Sequence, residues 1–140
     1  MEKLLKIPYK VFNDWNQLQQ FLEDKGNLSY YLVGDVDLSH REDIFDLGNL
    51  IQVDGHLDLH FSSIQSLGNL VRVDDSLDLE NTSIKSLGNL EYIGGYLDLV
   101  ETPIESLGNL QYVGEEFWLS RNHQIPEEQL TKFKGQIEYT

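Results

Sequence analysis

The chain has 140 residues, with 24 Asp and Glu against ten Lys and Arg, a net charge of −14 and no Cys. That length suits one domain, and a surface so acidic opposes phosphate backbones and anionic membranes, so neither nucleic acid nor membrane is expected as a direct partner. The missing Cys excludes disulfides, thiolate nucleophiles and Cys-bound metal.

The opening MEKLLKIPYK lacks the apolar run of a secretory signal, and no later stretch is apolar for long enough to span a bilayer, so a cytoplasmic protein is expected. Residues 13–25 follow with the marks of a helix. Asn13 or Asp14 stands as N-cap, Trp15, Leu18, Phe21 and Leu22 share one face, and Gly26 ends it. Residues 1–34 are therefore an N-terminal cap.

From residue 35 to 125 the chain repeats itself. LGNL recurs at 47–50, 67–70, 87–90 and 107–110, a spacing of 20 residues held without slippage. The first three of these units carry an L-D-L triplet, as in Leu77-Asp78-Leu79, whose alternation predicts a short strand with Leu inward and Asp outward. An earlier partial unit, GDVDLSHREDIFD, carries Val36-Asp37-Leu38 and one extra residue before Ile44. Six apolar side chains per unit cannot close a core, but stacked units form continuous ladders of Leu, Val and Ile. Gly48, Gly68, Gly88 and Gly108 mark turns, and Asn49, Asn69, Asn89 and Asn109 beside them predict a ladder bonded from coil to coil.

Past the last repeat, Phe117 and Trp118 interrupt the L-D-L rule. Pro126 opens a short helix through Glu127, Glu128, Leu130 and Phe133, Gly135 ends it, and 136–139 alternates like a last strand. Residues 126–140 form the C-terminal cap. The predicted fold is an α/β or mainly β repeat: one domain over 1–140, a solenoid of about five 20-residue coils with one strand per coil in a parallel sheet, closed by the N-terminal helix and a C-terminal helix and strand.

The pattern L-x-L-x-x-[ST]-x-I-x-x-L resembles the leucine-rich repeat in a short bacterial-type form, which implies a solenoid serving recognition. Two departures stand out. Ser62, Thr82 and Thr102 occupy the family's usual Asn position, with Asn122 alone matching, and Val53, Val73, Ile93 and Val113 lie one residue from the expected apolar site. A curved horseshoe and a straighter β-solenoid both remain open.

The charge is concentrated in the coils. Residues 35–125 hold 17 acids against four bases, while residues 1–34 are neutral. Asp37, Asp58, Asp78 and Asp98 are predicted to form an outward file with the strand spacing of about 4.8 Å. Neighbouring carboxylates at that separation repel by about 0.9 kcal/mol even in water. A duplicated scaffold and a surface for a cationic protein both explain the file, whereas calcium does not, because a flat file fails to converge six to eight oxygens on one point.

Flanking positions vary from coil to coil: His56 and His60, Glu80, Tyr96, then Glu116 and Trp118. With the four aspartates these are the candidate partner-binding residues. Trp118 stands either as an exposed anchor or as part of the C-terminal cap. His56, Asp58 and His60 alternate on one strand and so could share zinc, but a solvated polar face accounts for them equally, and no metal or cofactor is assigned. The chain has no phosphate loop, no G-x-S-x-G and no H-E-x-x-H, and an even file of carboxylates lacks the contrasting environments of an acid–base pair, so no catalytic residue is assigned.

The expected function is a non-catalytic protein-interaction module whose acidic sheet face docks a basic region of a partner, the chain being a monomer or a homodimer joined through strand 136–139. The alternative is an inhibitor that mimics nucleic acid, a phage-type anti-defence or anti-CRISPR protein filling the basic groove of a nuclease or CRISPR effector.

Overall fold

In the computed structural model, residues 4–12 and 14–140 are described. In chain order the elements are β1 (Leu5–Pro8), α1 (Trp15–Asp24), β2 (Tyr30–Val33), β3 (Val36–Asp37), β4 (Leu50–Asp54), β5 (Leu57–Asp58), β6 (Arg72–Val73) and β7 (Leu77–Asp78). They continue with β8 (Tyr92–Ile93), β9 (Leu97–Asp98), β10 (Tyr112–Val113), β11 (Phe117–Leu119), α2 (Glu127–Leu130) and β12 (Ile137–Tyr139).

The chain winds as a β-solenoid with two parallel sheets where the sequence predicts one. Sheet one runs β1-β2-β4-β6-β8-β10 and sheet two runs β3-β5-β7-β9-β11-β12. Each coil contributes a strand to both. The apolar site displaced by one residue is the reason: Val53, Val73, Ile93 and Val113 are fully or nearly buried and belong to the second set of strands, facing the Leu ladders across the core. Sheet-two strands feed backbone bonds forward, as from Leu57 N to the Ser76 carbonyl at 2.9 Å and from Leu77 N to that of Tyr96 at 2.9 Å.

The residues around the triplet show why the winding repeats. Leu57, Leu59, Leu77, Leu79, Leu97 and Leu99 are completely buried, and each such side chain contributes about 1.5–3 kcal/mol on leaving water. At the leucine-rich-repeat Asn position, Thr82 and Thr102 donate their hydroxyls to the carbonyls of Leu79 and Leu99 at 2.8 and 2.7 Å. A small hydroxyl thus closes the turn locally. Asp46, Ser66, Ser86 and Ser106 accept from the N–H of Gly48, Gly68, Gly88 and Gly108 at 2.8 to 3.0 Å. Those glycines hold φ between +56° and +62°, and at Gly108 a Cβ would also strike the Gly88 carbonyl.

The Asn ladder forms only at its beginning. Asn69 donates to Asn49 Oδ1 at 3.3 Å and Asn49 to the Asn27 carbonyl at 2.6 Å. Among the described residues no such bond reaches Asn89 or Asn109. The side chains of the Asp46 and Ser66 column take over the turn, and the Asn column faces solvent.

The extra residue of the first unit is matched by a bulge in the next coil. Ile51 bulges out of β4, so that Tyr30 pairs with Leu50 but Tyr31 with Gln52, and the extra residue within 39–45 cancels the shift, the Asp46–Ser66 bridge restoring the 20-residue period.

At the N-terminal end α1 is capped by Asp14, which accepts from Asn16 and Gln17 N at 2.8 and 3.2 Å; the alternative cap, Asn13, lies outside the described residues. Trp15, Leu18 and Leu22 are buried, and β1 pairs in parallel with β2. At the other end the expected helix and strand are present as α2 and β12, and β12 pairs with β11. Side chains here stand in for the next coil: Gln129 Oε1 accepts from Leu107 N at 2.8 Å, Lys132 donates to the Leu110 carbonyl at 3.4 Å, and Gln136 donates to that of Glu115 at 2.9 Å. Sheet one is closed by these groups, and β12 is the outer edge of sheet two.

Candidate functional site

The outward side chains of sheet two form the site. The parallel register runs Asp37 to Asp58 to Asp78 to Asp98, then to Trp118 and Glu138, without a slip. The predicted file is therefore present and points outward. Each aspartate also shapes its own turn, its Oδ1 accepting the N–H two residues on, from Ser39 at 3.0 Å, His60 at 3.1 Å, Glu80 at 3.0 Å and Val100 at 2.9 Å. One carboxylate oxygen per residue thus fixes the strand end, and the other is left for neighbours or ligands.

The four carboxylates are not equivalent. Two hydrogen bonds from Ser39 hold the Asp37 pKa below its ordinary value. Burial pushes Asp78 up, reinforced by the charges of Asp58 and Glu80, and pushes Asp98 up to about 6, reinforced by Asp78 and Glu80. Among the described residues no Lys or Arg is ion-paired to any member of the file, and the basic side chain beside it is His60.

The strand does not bring His56, Asp58 and His60 together. His60 Nδ1 lies 2.5 Å from Asp58 Oδ1 and 3.7 Å from Asp78 Oδ2. His56 turns the other way, with Nδ1 accepting from Ser76 N at 3.3 Å and Nε2 at 3.3 Å from Asp75. For His60, burial works against the charged ring, but the hydrogen bond to Asp58 and the charges of Asp58, Asp78 and Asp37 outweigh it and raise the pKa.

An open depression of about 300 Å³ crosses the first three strands of this face, lined by Asp35, Asp37, His56, Asp58, Ser76, Asp78 and Tyr96. Tyr96 forms one wall; burial, then the charges of Asp78, Asp58, Asp98 and Asp75, raises its hydroxyl pKa. Gly95 lets the wall close up, because a Cβ there would strike Ser76 Oγ. No family model, curated protein or solved structure matches the chain. The chemistry of the face therefore rests on its own geometry: a rigid row of acceptors with aromatic flanks, shaped to hold cations and hydrogen-bond donors.

Glu80 lies beside Asp78 and Asp98, Glu116 projects into solvent one strand further on, and Trp118 takes the outward place next to Asp98 with 36% of its surface exposed. The cap contact falls to its neighbour, Phe117, whose buried ring meets Phe133 edge-on at 5.6 Å. Sequence reasoning missed four contributors. Asp35 accepts from His56 N at 2.9 Å, Asp75 faces His56, and His40 stacks on Phe61 at 5.4 Å with His60 edge-on to both. The signal for the last pair is positional, since His40 and Phe61 both adopt positive φ at the turn that Asn81 occupies a coil later. Among the described residues no helix is long and apolar enough to cross a membrane.

Proposed function

We propose that the protein is a non-catalytic cytoplasmic recognition module that presents sheet two to a basic region of another protein. The observation that carries this is the unbroken file of Asp37, Asp58, Asp78 and Asp98, with no Lys or Arg among the described residues paired to it and Trp118 next in register. Repulsion along such a file is a standing cost that a cationic partner relieves on contact. Tyr96, His56, Glu80 and Glu116 extend the surface sideways, and Trp118 offers an amphipathic anchor at its end. The resemblance of the repeats to leucine-rich repeats supports the same role, since a fixed core with one varied face suits recognition; being an analogy of fold, it names no partner.

The nucleic-acid-mimic alternative uses the same carboxylates as stand-ins for phosphates. The regular strand spacing favours it, although about 4.8 Å between carboxylates exceeds the rise per phosphate of about 3.4 Å along one strand.

The test is affinity capture from extract of the native host, with the native chain and with Asp37, Asp58, Asp78 and Asp98 all changed to Asn. Asn keeps an oxygen for the turn bonds, so the fold is retained and only the charge is removed. Proteins held by the native chain at low salt and lost from the variant support the module, and their release by excess DNA or RNA selects the mimic. Equal capture by both chains would make the file a scaffold.

A further inference from the structure

A cluster on the wall of the depression goes beyond docking. Asp58, His60 and Asp78 each offer one donor atom, and the three atoms lie within 4.8 Å of one another. They come from two adjacent strands, β5 and β7, whose register fixes Asp58 opposite Asp78. Both aspartates have Oδ1 tied to their own turns, which sets the carboxylate planes and turns Asp78 Oδ2 toward the imidazole. Phe61 and His40 meet the His60 ring at 5.6 and 5.0 Å and fix its plane. The nitrogen aimed between the two carboxylates is Nδ1, at 2.5 and 3.7 Å.

A small divalent ion would take the place of the proton between His60 and Asp58. At metal–ligand distances of about 2.0–2.1 Å, tetrahedral neighbours stand about 3.3 Å apart; the His60–Asp78 pair at 3.7 Å is close to that value, and the hydrogen-bonded His60–Asp58 pair at 2.5 Å has to part by just under an ångström. The side chains of Asp58, His60 and Asp78 remain 34%, 27% and 20% exposed, and the depression beside them admits water to a fourth position. Two oxygens with one imidazole nitrogen match zinc and its first-row neighbours and not calcium, which takes oxygen alone and more of it. The equivalent places in the other coils hold Ser39, Glu80, Val100 and Ser120, so the nitrogen donor occurs at one level of the file only. There the half-buried Asp78 carboxylate has no Lys or Arg among the described residues to balance it.

We propose that Asp58, His60 and Asp78 form a binding site for one first-row divalent metal ion, with zinc as the probe and solvent completing the coordination. The assignment does not rest on sheet two docking a protein, although the same three side chains belong to the proposed docking face.

Isothermal titration of zinc into chelator-treated, untagged protein tests it, alongside ¹⁵N spectra of the histidine rings. The expected result is one ion per chain, a large shift of the His60 Nδ1 resonance, and affinity reduced at least tenfold in His60→Gln and in Asp78→Asn while His56→Gln and Glu80→Gln bind as the native chain does. Zinc should also raise the melting temperature of the native chain and leave that of His60→Gln unchanged, which separates loss of the site from loss of the fold. No saturable binding, unchanged affinity in His60→Gln, or a shift confined to His56 or His123 would overturn the assignment.

Discussion

The two sheets share one core and one period, yet their outward files have opposite characters. Sheet two presents Asp37, Asp58, Asp78, Asp98, Trp118 and Glu138 in register; sheet one presents Lys6, Tyr31, Gln52, Arg72, Tyr92 and Tyr112. Along sheet one neighbours attract. The Arg72 guanidinium lies 3.9 Å over the Tyr92 ring and is ion-paired to Asp74, and Tyr92 stacks on Tyr112 at 4.9 Å. Along sheet two the carboxylates repel. Stacking repeats only fixes which residues are neighbours; whether a file stabilises the solenoid or burdens it depends on the side chains placed there. On the proposed reading, the face whose side chains satisfy one another is scaffold, and the face left with unbalanced charge is the one that gains from a partner.

The shared core sets the scale against which both faces are measured. Leu77→Ala, at a completely buried position, is expected to cost about 2–5 kcal/mol in chemical denaturation and to weaken both faces together. Arg72→Ala should separate them. It removes a cation–aromatic contact and an exposed ion pair, so a loss of about 1 kcal/mol is expected, with binding through sheet two unchanged. Asp98→Asn has the opposite sign. Its carboxyl is pushed up to about 6 from 3.8 by burial, so the charged form is disfavoured in the folded chain, and the substitution should stabilise the protein by about 1 kcal/mol at pH 7.5 after allowance for solvent screening.

The smallest effect is the pH dependence that follows. A group whose folded pKa is raised binds its proton more tightly when folded, so Asp98 contributes stability at low pH and loses it as pH rises through about 6. In metal-free buffer the melting temperature should therefore rise slightly between pH 7.5 and 5.5, and the rise should shrink in Asp98→Asn. Asp37, whose pKa is lowered, works the other way, but only below the ordinary carboxylate range, outside that window.

Much of this is legible in the residues. The 20-residue recurrence of LGNL predicts the winding, and the L-D-L triplets predict the file of aspartates, because a period of two on a strand leaves no choice of side. Sheet one is hidden because pairs such as Arg72-Val73 are too short to show alternation, and its apolar residue resembles a misplaced leucine-rich-repeat position. The parting of His56 and His60 is also beyond the pattern. Both leave the strand on one side, but His60 is held by Asp58 two residues before it, whereas His56 is drawn away by Ser76 and Asp75, residues about a full coil further on. The closure of the C-terminal end depends likewise on Gln129, Lys132 and Gln136 reaching backbone groups some 21 to 23 positions earlier.

That sheet two is the interaction face is tested most directly by titrating an arginine-rich peptide into ¹⁵N-labelled protein at low salt. Amide shifts should concentrate at His60, Glu80, Val100 and the Trp118 indole, saturate, and disappear in the chain with all four aspartates changed to Asn. Shifts centred on Arg72, Tyr92 and Tyr112, or a response that survives the loss of the four charges, would contradict it.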